Sequence, residues 1–357
     1  MAAPPLLGIV ANRYELVRKI GEGAGGEVYV ARDTHEGDEV ALKLLAPGSP
    51  GPWDEAQILR ALRDPHILEI RNADTDPGRG QDFIVTEYLP GGSLDARLDA
   101  TGKCGLPVDE VVRFIRQACN GVARAHTERL VHNDIKPANL FVNPEGECLV
   151  GDFGGATIIP PGAQVTLPRA WTAATVAPEV ARDPLGTPAA SVRSDVYSLG
   201  ATAYWLLAAR SPIDLTGIPL GPPRLSRVVA ETPPRLFDVA PHVTVFVARA
   251  IEQAIARDPN DRFANAGELH AALGGRPEGS RVWSRTDHHV GHLACWTGVP
   301  RGGGSTYEMC LEHGARANQV TITTRHQNSG RRNTDGCRTA GRSSWAQAVR
   351  SSMRAVS

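Results

Sequence analysis

The 357-residue chain is 41% hydrophobic and nearly neutral, with 38 basic and 39 acidic side chains and a net charge of −1. Its length suits a sizeable core and about two domains, and its charge balance singles out no class of partner. Six cysteines (Cys104, Cys119, Cys148, Cys295, Cys310, Cys337) are too thinly spread for a disulfide framework, and the longest apolar stretch, LGATAYWLLAA at 199–209, is too short to span a bilayer.

The opening MAAPPLLGIV has no basic flank before its short apolar run, so a signal peptide is not expected. The expected location is cytoplasmic, with no membrane partner. YELVRKIG and EVYVARD are apolar at alternate positions and flank a glycine-rich turn, and DEVALKLL reads as a third strand. WDEAQILRALRD sets Ile58, Leu59 and Leu62 at helical spacing and stops at Asp64-Pro65. DFIVTEYL returns to strand. Beyond Pro90-Gly91-Gly92 the pattern turns helical, with Val111, Val112, Ile115 and Ala118 on one face. Two short strands, NLFVN and CLVGDFG, precede further helices to about Leu273. A strand-rich front and a helical body predict an α+β chain with two lobes.

Several motifs carry chemistry. GEGAGGEV places Gly21, Gly23 and Gly26 before Val28 in a G-x-G-x-x-G-x-V pattern. Glycine lets backbone N–H groups approach phosphates with no side chain in the way. A strand follows, where dinucleotide folds would have a helix, which favours a hairpin lid over phosphates. An ordinary glycine-rich hairpin is the plainer alternative. On the next strand Ala41 and Lys43 lie in VALK; a lysine amine there can hold phosphates if a carboxylate such as Glu55 orients it.

HNDIKPAN at 132–139 and GDFGGA at 151–156 complete an ordered set that resembles the eukaryotic-type protein kinase family, in particular its bacterial serine/threonine members. The resemblance covers residues 12–273 and implies a bilobal fold, with an N-lobe at about 12–88 and a C-lobe at about 89–273. It implies that Asp134 positions the substrate hydroxyl and accepts its proton, and that Lys136 steadies the γ-phosphate. Asn139 and Asp152 then hold Mg2+, and ATP is the phosphoryl donor. Val28 and Ala41 fall at nucleotide-binding positions, and Thr86, Glu87 and Leu89 in the gatekeeper and hinge that receive adenine. Asp195 resembles the aspartate that braces the catalytic loop, and Arg262 the partner of Glu179 in Ala177-Pro178-Glu179.

Three positions depart from the family pattern. Asn133 replaces the arginine that usually pairs with a phosphate on the activation segment, which removes the local reason for phosphorylation to order that segment. In WTAATVAPE, Thr172 matches the threonine that bonds the catalytic aspartate and lysine, while Trp171 and Thr175 replace a usual glycine and tyrosine. Asp64 replaces a turn histidine.

GGRPEGSR at 274–281 reads as a linker to a basic C-terminal α/β module at 282–357, for which no family is recognised. From Arg276 onward there are 12 arginines, no lysine and five acids, a net of +7, which leaves −8 for the preceding 275 residues. NQVTITTRH is an expected strand and SSWAQAVRSSMRAV an expected amphipathic helix. His292-x-x-Cys295 and Cys310-x-x-His313 form two chelating pairs with the spacing of a small zinc module, with His288, His289 and Cys337 as spare candidates. A His-rich segment that binds no metal has the same appearance. The arginines, with Trp283, Trp296, Tyr307 and Trp345 among them, suit nucleic acid, a protein partner or the chain's own acidic body.

The expectation is a soluble serine/threonine kinase acting on protein substrates, with self-phosphorylation at Thr166, Thr172 or Thr175. The alternative is a pseudokinase scaffold whose basic module binds nucleic acid or a protein partner. Lys43, Asp134, Asn139 and Asp152 together argue against it.

Overall fold

The computed structural model describes residues 7–23, 25–46, 62–102, 104–275, 280–286 and 289–356. The expected helix around 53–64, with Glu55, lies largely outside them.

The N-terminal sheet has six antiparallel strands: β1 (Ile9–Val10), β2 (Tyr14–Gly23), β3 (Gly26–Asp33), β4 (Glu39–Leu45), β5 (Ile70–Asp76) and β6 (Gln81–Glu87), in the order β1-β2-β3-β4-β6-β5. Alternate residues bury one face, where Tyr14, Leu16, Val40, Leu42, Leu44, Phe83 and Val85 meet. β2 pairs with β3 up to Gly23 opposite Gly26, which closes the hairpin over the sheet edge. Gly26 has φ +127°, and a Cβ there would lie 1.9 Å from the Leu44 carbonyl oxygen. Only glycine fits that turn, so at this position the hairpin itself demands the residue, independently of any phosphate.

The second lobe begins with α1 (Leu94–Asp99) and α2 (Val108–Thr127). α2 buries Val111, Phe114, Ile115, Ala118, Cys119, Val122 and Ala125, a stripe at three- and four-residue spacing. Short strands β7 (Leu130–Val131), β8 (Leu140–Val142), β9 (Cys148–Val150) and β10 (Thr157–Ile158) carry the loops of the cleft. The helices α3 (Pro178–Arg182), α4 (Val192–Ala208), α5 (Pro222–Ala230), α6 (Leu236–Val239), α7 (Val245–Ala254) and α8 (Ala266–Leu273) follow. α4 is the apolar stretch seen in the sequence. It is buried nearly all round and starts at a reciprocal cap between Ser191 and Ser194.

Residues 281–355 form an antiparallel five-stranded meander, β11 (Arg281–Thr286), β12 (Ala294–Pro300), β13 (Tyr307–His313), β14 (Gln319–His326) and β15 (Arg338–Gly341), followed by α9 (Trp345–Ala355). α9 covers one sheet face, packing Val349 and Met353 on Trp283, Trp296, Met309, Leu311, Val320 and Ile322. This small module rests on the helical lobe. The Arg350 guanidinium lies 3.6 Å from the centre of the Phe237 ring and donates to the Val243 carbonyl at 3.3 Å. Arg301 holds Asp109 through two bonds of 2.8 and 3.0 Å.

His242, next to Val243 in the chain, is buried, and neither ring nitrogen meets a partner among the described residues. Burial, and secondarily the charge of Arg285, push its pKa down to about 3. A group with a depressed folded pKa adds stability above its unfolded value of about 6.5, and that contribution fades as pH falls toward 3. At pH 5.5 the loss should be about 1.4 kcal/mol, and His242→Leu should remove this part of the pH dependence. Urea unfolding of both proteins at pH 7 and pH 5.5 checks it; equal losses in the two would refute the assignment.

Candidate active site

The cleft is organised from α4. Asp195, fully buried in its first turn, accepts the backbone N–H of His132 at 2.8 Å and of Asn133 at 3.0 Å, with His126 Nε2 at 2.9 Å. These bonds clamp the loop after β7 and hold Asn133 at φ +69°, a left-handed conformation that asparagine tolerates better than most residues. Its side-chain amide donates to the Gly155 carbonyl at 2.9 Å, to Thr157 Oγ1 at 2.9 Å and to the Val131 carbonyl at 3.4 Å. Asn133 therefore ties the catalytic loop to the first residues of the segment that follows Asp152.

Asp134 comes next and points into the cleft. Thr172 Oγ1 donates to its Oδ1 at 2.6 Å, Lys136 Nζ donates to its Oδ2 at 2.7 Å, and Lys136 also reaches Thr172 at 3.1 Å. This triangle joins the catalytic loop to the activation segment and fixes the carboxylate in one orientation. Asn139, almost wholly buried, donates its amide nitrogen to the Asp134 carbonyl at 2.8 Å, so the planar amide presents Oδ1 as an acceptor.

Across the cleft Asp152, with φ +58°, accepts Lys43 Nζ at 2.8 Å. Burial works to raise the Asp152 pKa, but the charge and hydrogen bond of Lys43 hold it below the ordinary carboxylate value. Its second oxygen and Asn139 Oδ1 are two hard donors of the kind Mg2+ takes, so these residues fit that ion. Phe153 packs on His132 with ring centres 4.6 Å apart, and His132 Nε2 lies 3.0 Å from the Gly151 carbonyl oxygen, which fixes the strand end that presents Asp152.

Lys43 pairs in register with Val28 on one side and Ile84 on the other, and Ala41 lies opposite Thr86. A Cβ on Gly25 would come within 3.4 Å of Lys43 Cε, so the tip of the glycine hairpin overhangs the lysine. Leu89, two residues after Glu87, is buried in one cluster with Leu68 and Leu149, against which Phe141 packs. Glu55 lies outside the described residues.

The activation segment is held by many contacts that need no phosphate. β10 pairs with β7, Thr157 to Val131 and Ile158 to Leu130. Arg129 donates to the carbonyls of Ile159 at 3.0 Å, Pro160 at 2.6 Å and Ala163 at 3.1 Å. Further on, Ser198 donates to the Thr175 carbonyl at 2.9 Å, and Glu179 takes two bonds from the buried Arg262 at 2.8 and 2.7 Å. Arg129 carries no motif signal and was not anticipated. Of the three threonines suggested for self-phosphorylation, Thr175 is only 1% exposed, while Thr166 and Thr172 are both half-buried and the Thr172 hydroxyl is bound to Asp134.

In the C-terminal module His292, Cys295 and Cys310 come together, but His313 does not join them. Successive side chains on a strand alternate faces, so Cys310 and His313 on β13 point to opposite sides of the sheet. His289 joins instead: the ligand atoms of His289, His292, Cys295 and Cys310 all lie within 4.8 Å of one another. His288 lies outside the described residues, and Cys337 is engaged with Thr324 and Arg332. Trp283 and Trp296 are core residues, Trp345 stacks on Trp296, and Arg281 lies over Tyr307. Those aromatics thus serve packing, and Arg301 and Arg350 serve docking to the helical lobe.

Among the described residues no helix is long and apolar enough to cross a membrane. The protein kinase domain model matches residues 14–263. The chain is 31% identical over 276 residues to the "Probable serine/threonine-protein kinase pknA2" of Bifidobacterium longum, covering 73% of this chain and 35% of that protein. It is 30% identical over 307 residues to serine/threonine-protein kinase PknB of Mycobacterium leprae, covering 80% and 47%. To PrkC of Bacillus subtilis it is 32% identical over 275 residues, covering 74% and 40%. It thus spans less than half the length of each of these three relatives, and the match to the family model ends before the C-terminal sheet begins. With Lys43 on Asp152 and Asp134 braced by Thr172 and Lys136, within a match that covers most of its length, the chain belongs to the protein kinase family.

Proposed function

We propose that the protein is a serine/threonine kinase of the cytoplasm that transfers the γ-phosphoryl group of Mg-ATP to hydroxyls of protein substrates. We further propose that it needs no phosphate on its activation segment. The observation that carries the proposal is the closed triangle of Asp134, Thr172 and Lys136. An incoming hydroxyl would meet a carboxylate already oriented to accept its proton, with the Lys136 ammonium beside the path of the transferred group. Asn139 and Asp152 would hold Mg2+, which would supply positive charge to offset the negative charge of the transferring phosphoryl group. Lys43 and the glycine hairpin would hold the remaining phosphates, and the wall formed by Leu89, Leu68 and Leu149 would take the base.

Independence from phosphorylation is supported by Asn133. A neutral amide bonded to Gly155 and Thr157 stands where a phosphate-binding cation would otherwise be, and Arg129 secures the next residues. The cytoplasmic assignment is supported by six cysteines that form no disulfide.

The test is incubation of the purified chain with labelled ATP and Mg2+ or Mn2+, with a generic protein acceptor, beside Asp134→Asn. Label on serine or threonine with wild type alone is expected, and phosphatase pretreatment should leave the rate unchanged. Failure to label any protein would leave the pseudokinase scaffold as the better account. A large drop after phosphatase treatment would overturn the second proposal only.

A further inference from the structure

The C-terminal module carries a cluster that phosphoryl transfer does not use. Cys295 on β12 and Cys310 on β13 are paired directly across the ladder, so both sulfurs leave the same face of the sheet. That face is opposite the one α9 covers, since Trp296 and Met309, the next residues on each strand, pack with α9. The segment just before β12 folds back over the two sulfurs and brings His289 and His292 to them. His289 Nδ1 lies 3.5 Å from Cys295 Sγ and 3.3 Å from Cys310 Sγ, and His292 Nδ1 lies 3.5 Å from Cys295 Sγ.

These separations have a specific meaning. Zinc bonds sulfur at about 2.3 Å and histidine nitrogen at about 2.0–2.1 Å with tetrahedral angles, which puts neighbouring S and N ligands about 3.6 Å apart. Three edges of the cluster therefore already have the dimensions of a zinc tetrahedron. Neither cysteine is in a disulfide and both are buried, so the sulfurs are shielded from bulk water. A surrounding shell is also present. The far nitrogen of His292, Nε2, lies 3.9 Å from Glu312 Oε1, and that oxygen is itself held by Thr323 Oγ1 at 2.8 Å. At 3.9 Å this is a charged neighbour and not a hydrogen bond, placed where the carboxylate partner of a histidine ligand belongs.

We propose that His289, His292, Cys295 and Cys310 bind one Zn2+ ion, in a closed structural site that fastens the 289–293 segment to the paired strands β12 and β13. Two thiolates and two imidazoles suit Zn2+ in preference to Mg2+ or Ca2+, which take oxygen. With four protein ligands the site has no open position for substrate, so its role is to hold the module together.

The experiment uses the full chain. Elemental analysis after gel filtration, with or without prior addition of Zn2+, should give about one zinc per chain. Replacement by Co2+ should give the visible bands of a tetrahedral ion and a near-ultraviolet sulfur-to-cobalt band of two-thiolate intensity. Cys295→Ser, Cys310→Ser and His289→Ala should each lower zinc affinity at least about tenfold against a chromogenic chelator, whereas His313→Ala should retain wild-type affinity. Should the cysteine variants fail to fold, the cobalt spectrum of the wild-type chain still decides. Less than about a fifth of an equivalent of zinc after reconstitution would overturn the proposal, as would a cobalt spectrum without thiolate bands. Loss of zinc in His313→Ala with full retention in His289→Ala would overturn the ligand set. None of these readouts depends on phosphotransfer, so this inference and the proposed activity stand or fall separately.

Discussion

Asp134→Asn should fold, bind nucleotide with near wild-type affinity, and transfer phosphate about 10²–10⁴ times more slowly. The carboxylate has two linked tasks. In the proposed mechanism it would receive the hydroxyl proton, and it would orient that hydroxyl through an oxygen whose direction Thr172 and Lys136 have already set. An amide can accept from Thr172 with its oxygen, but its NH2 then faces the Lys136 ammonium, donor against donor. The loss should therefore appear in kcat, with the KM for ATP nearly unchanged, because Lys43, Asp152 and the hinge are untouched. The stability cost should be about 1–3 kcal/mol, since a mostly buried carboxylate loses its ion pair and leaves the Lys136 ammonium facing a donor. A variant that keeps a tenth or more of wild-type turnover would show that Asp134 is not the proton acceptor. A large rise in the ATP KM would mean that it positions nucleotide instead.

The residues proposed to perform chemistry were legible because their identities are dictated by it. A hard cation needs oxygen donors, a phosphate cradle needs glycine or a cation, and these types occur in a fixed order from Gly21 to Asp152. The long helices were legible for a different reason: α2 and α4 are long enough for a stripe, or for continuous burial, to stand out. β5 was not. Its sequence IRNADTD buries only Ala73 and Asp76, as an edge strand with one polar side can, so neither alternation nor composition marks it. Four of the five tail strands were missed for a related reason. β11 buries one residue, Trp283, and finds its partner only through the fold of the whole module. The choice between His289 and His313 was likewise hidden. Cys-x-x-His can chelate in a turn, but on β13 the strand period separates the pair, and only knowledge of the strand reveals it. Arg129 binds carbonyl groups, which every residue has, so its partners leave no trace in sequence.

Asn133 matters most for how the activation segment stays ordered, and three substitutions separate its contributions. Asn133→Ala should destabilise the folded chain by about 3 kcal/mol. About 1–2 of this comes from placing alanine at φ +69°, and the remainder from leaving the buried carbonyl of Gly155 and the hydroxyl of Thr157 without their donor. Asn133→Gly removes the backbone cost and keeps the loss of the amide, so it should recover roughly half of the deficit. Asn133→Asp is the sharpest case. It tolerates the same backbone, but turns a carboxylate toward the carbonyl oxygens of Gly155 and Val131, acceptor against acceptor, inside a buried pocket. It should be at least as damaging as alanine above pH 6, despite being the closest in shape. In all three the damage should be local, seen as faster amide exchange and proteolysis between Asp152 and Ala163 before global unfolding, with phosphotransfer falling in the same order. If Asn133→Asp matches wild type in exchange and activity, the amide clasp is not what orders the segment. Arg129, which holds the carbonyls of Ile159, Pro160 and Ala163, would then be the residue to remove.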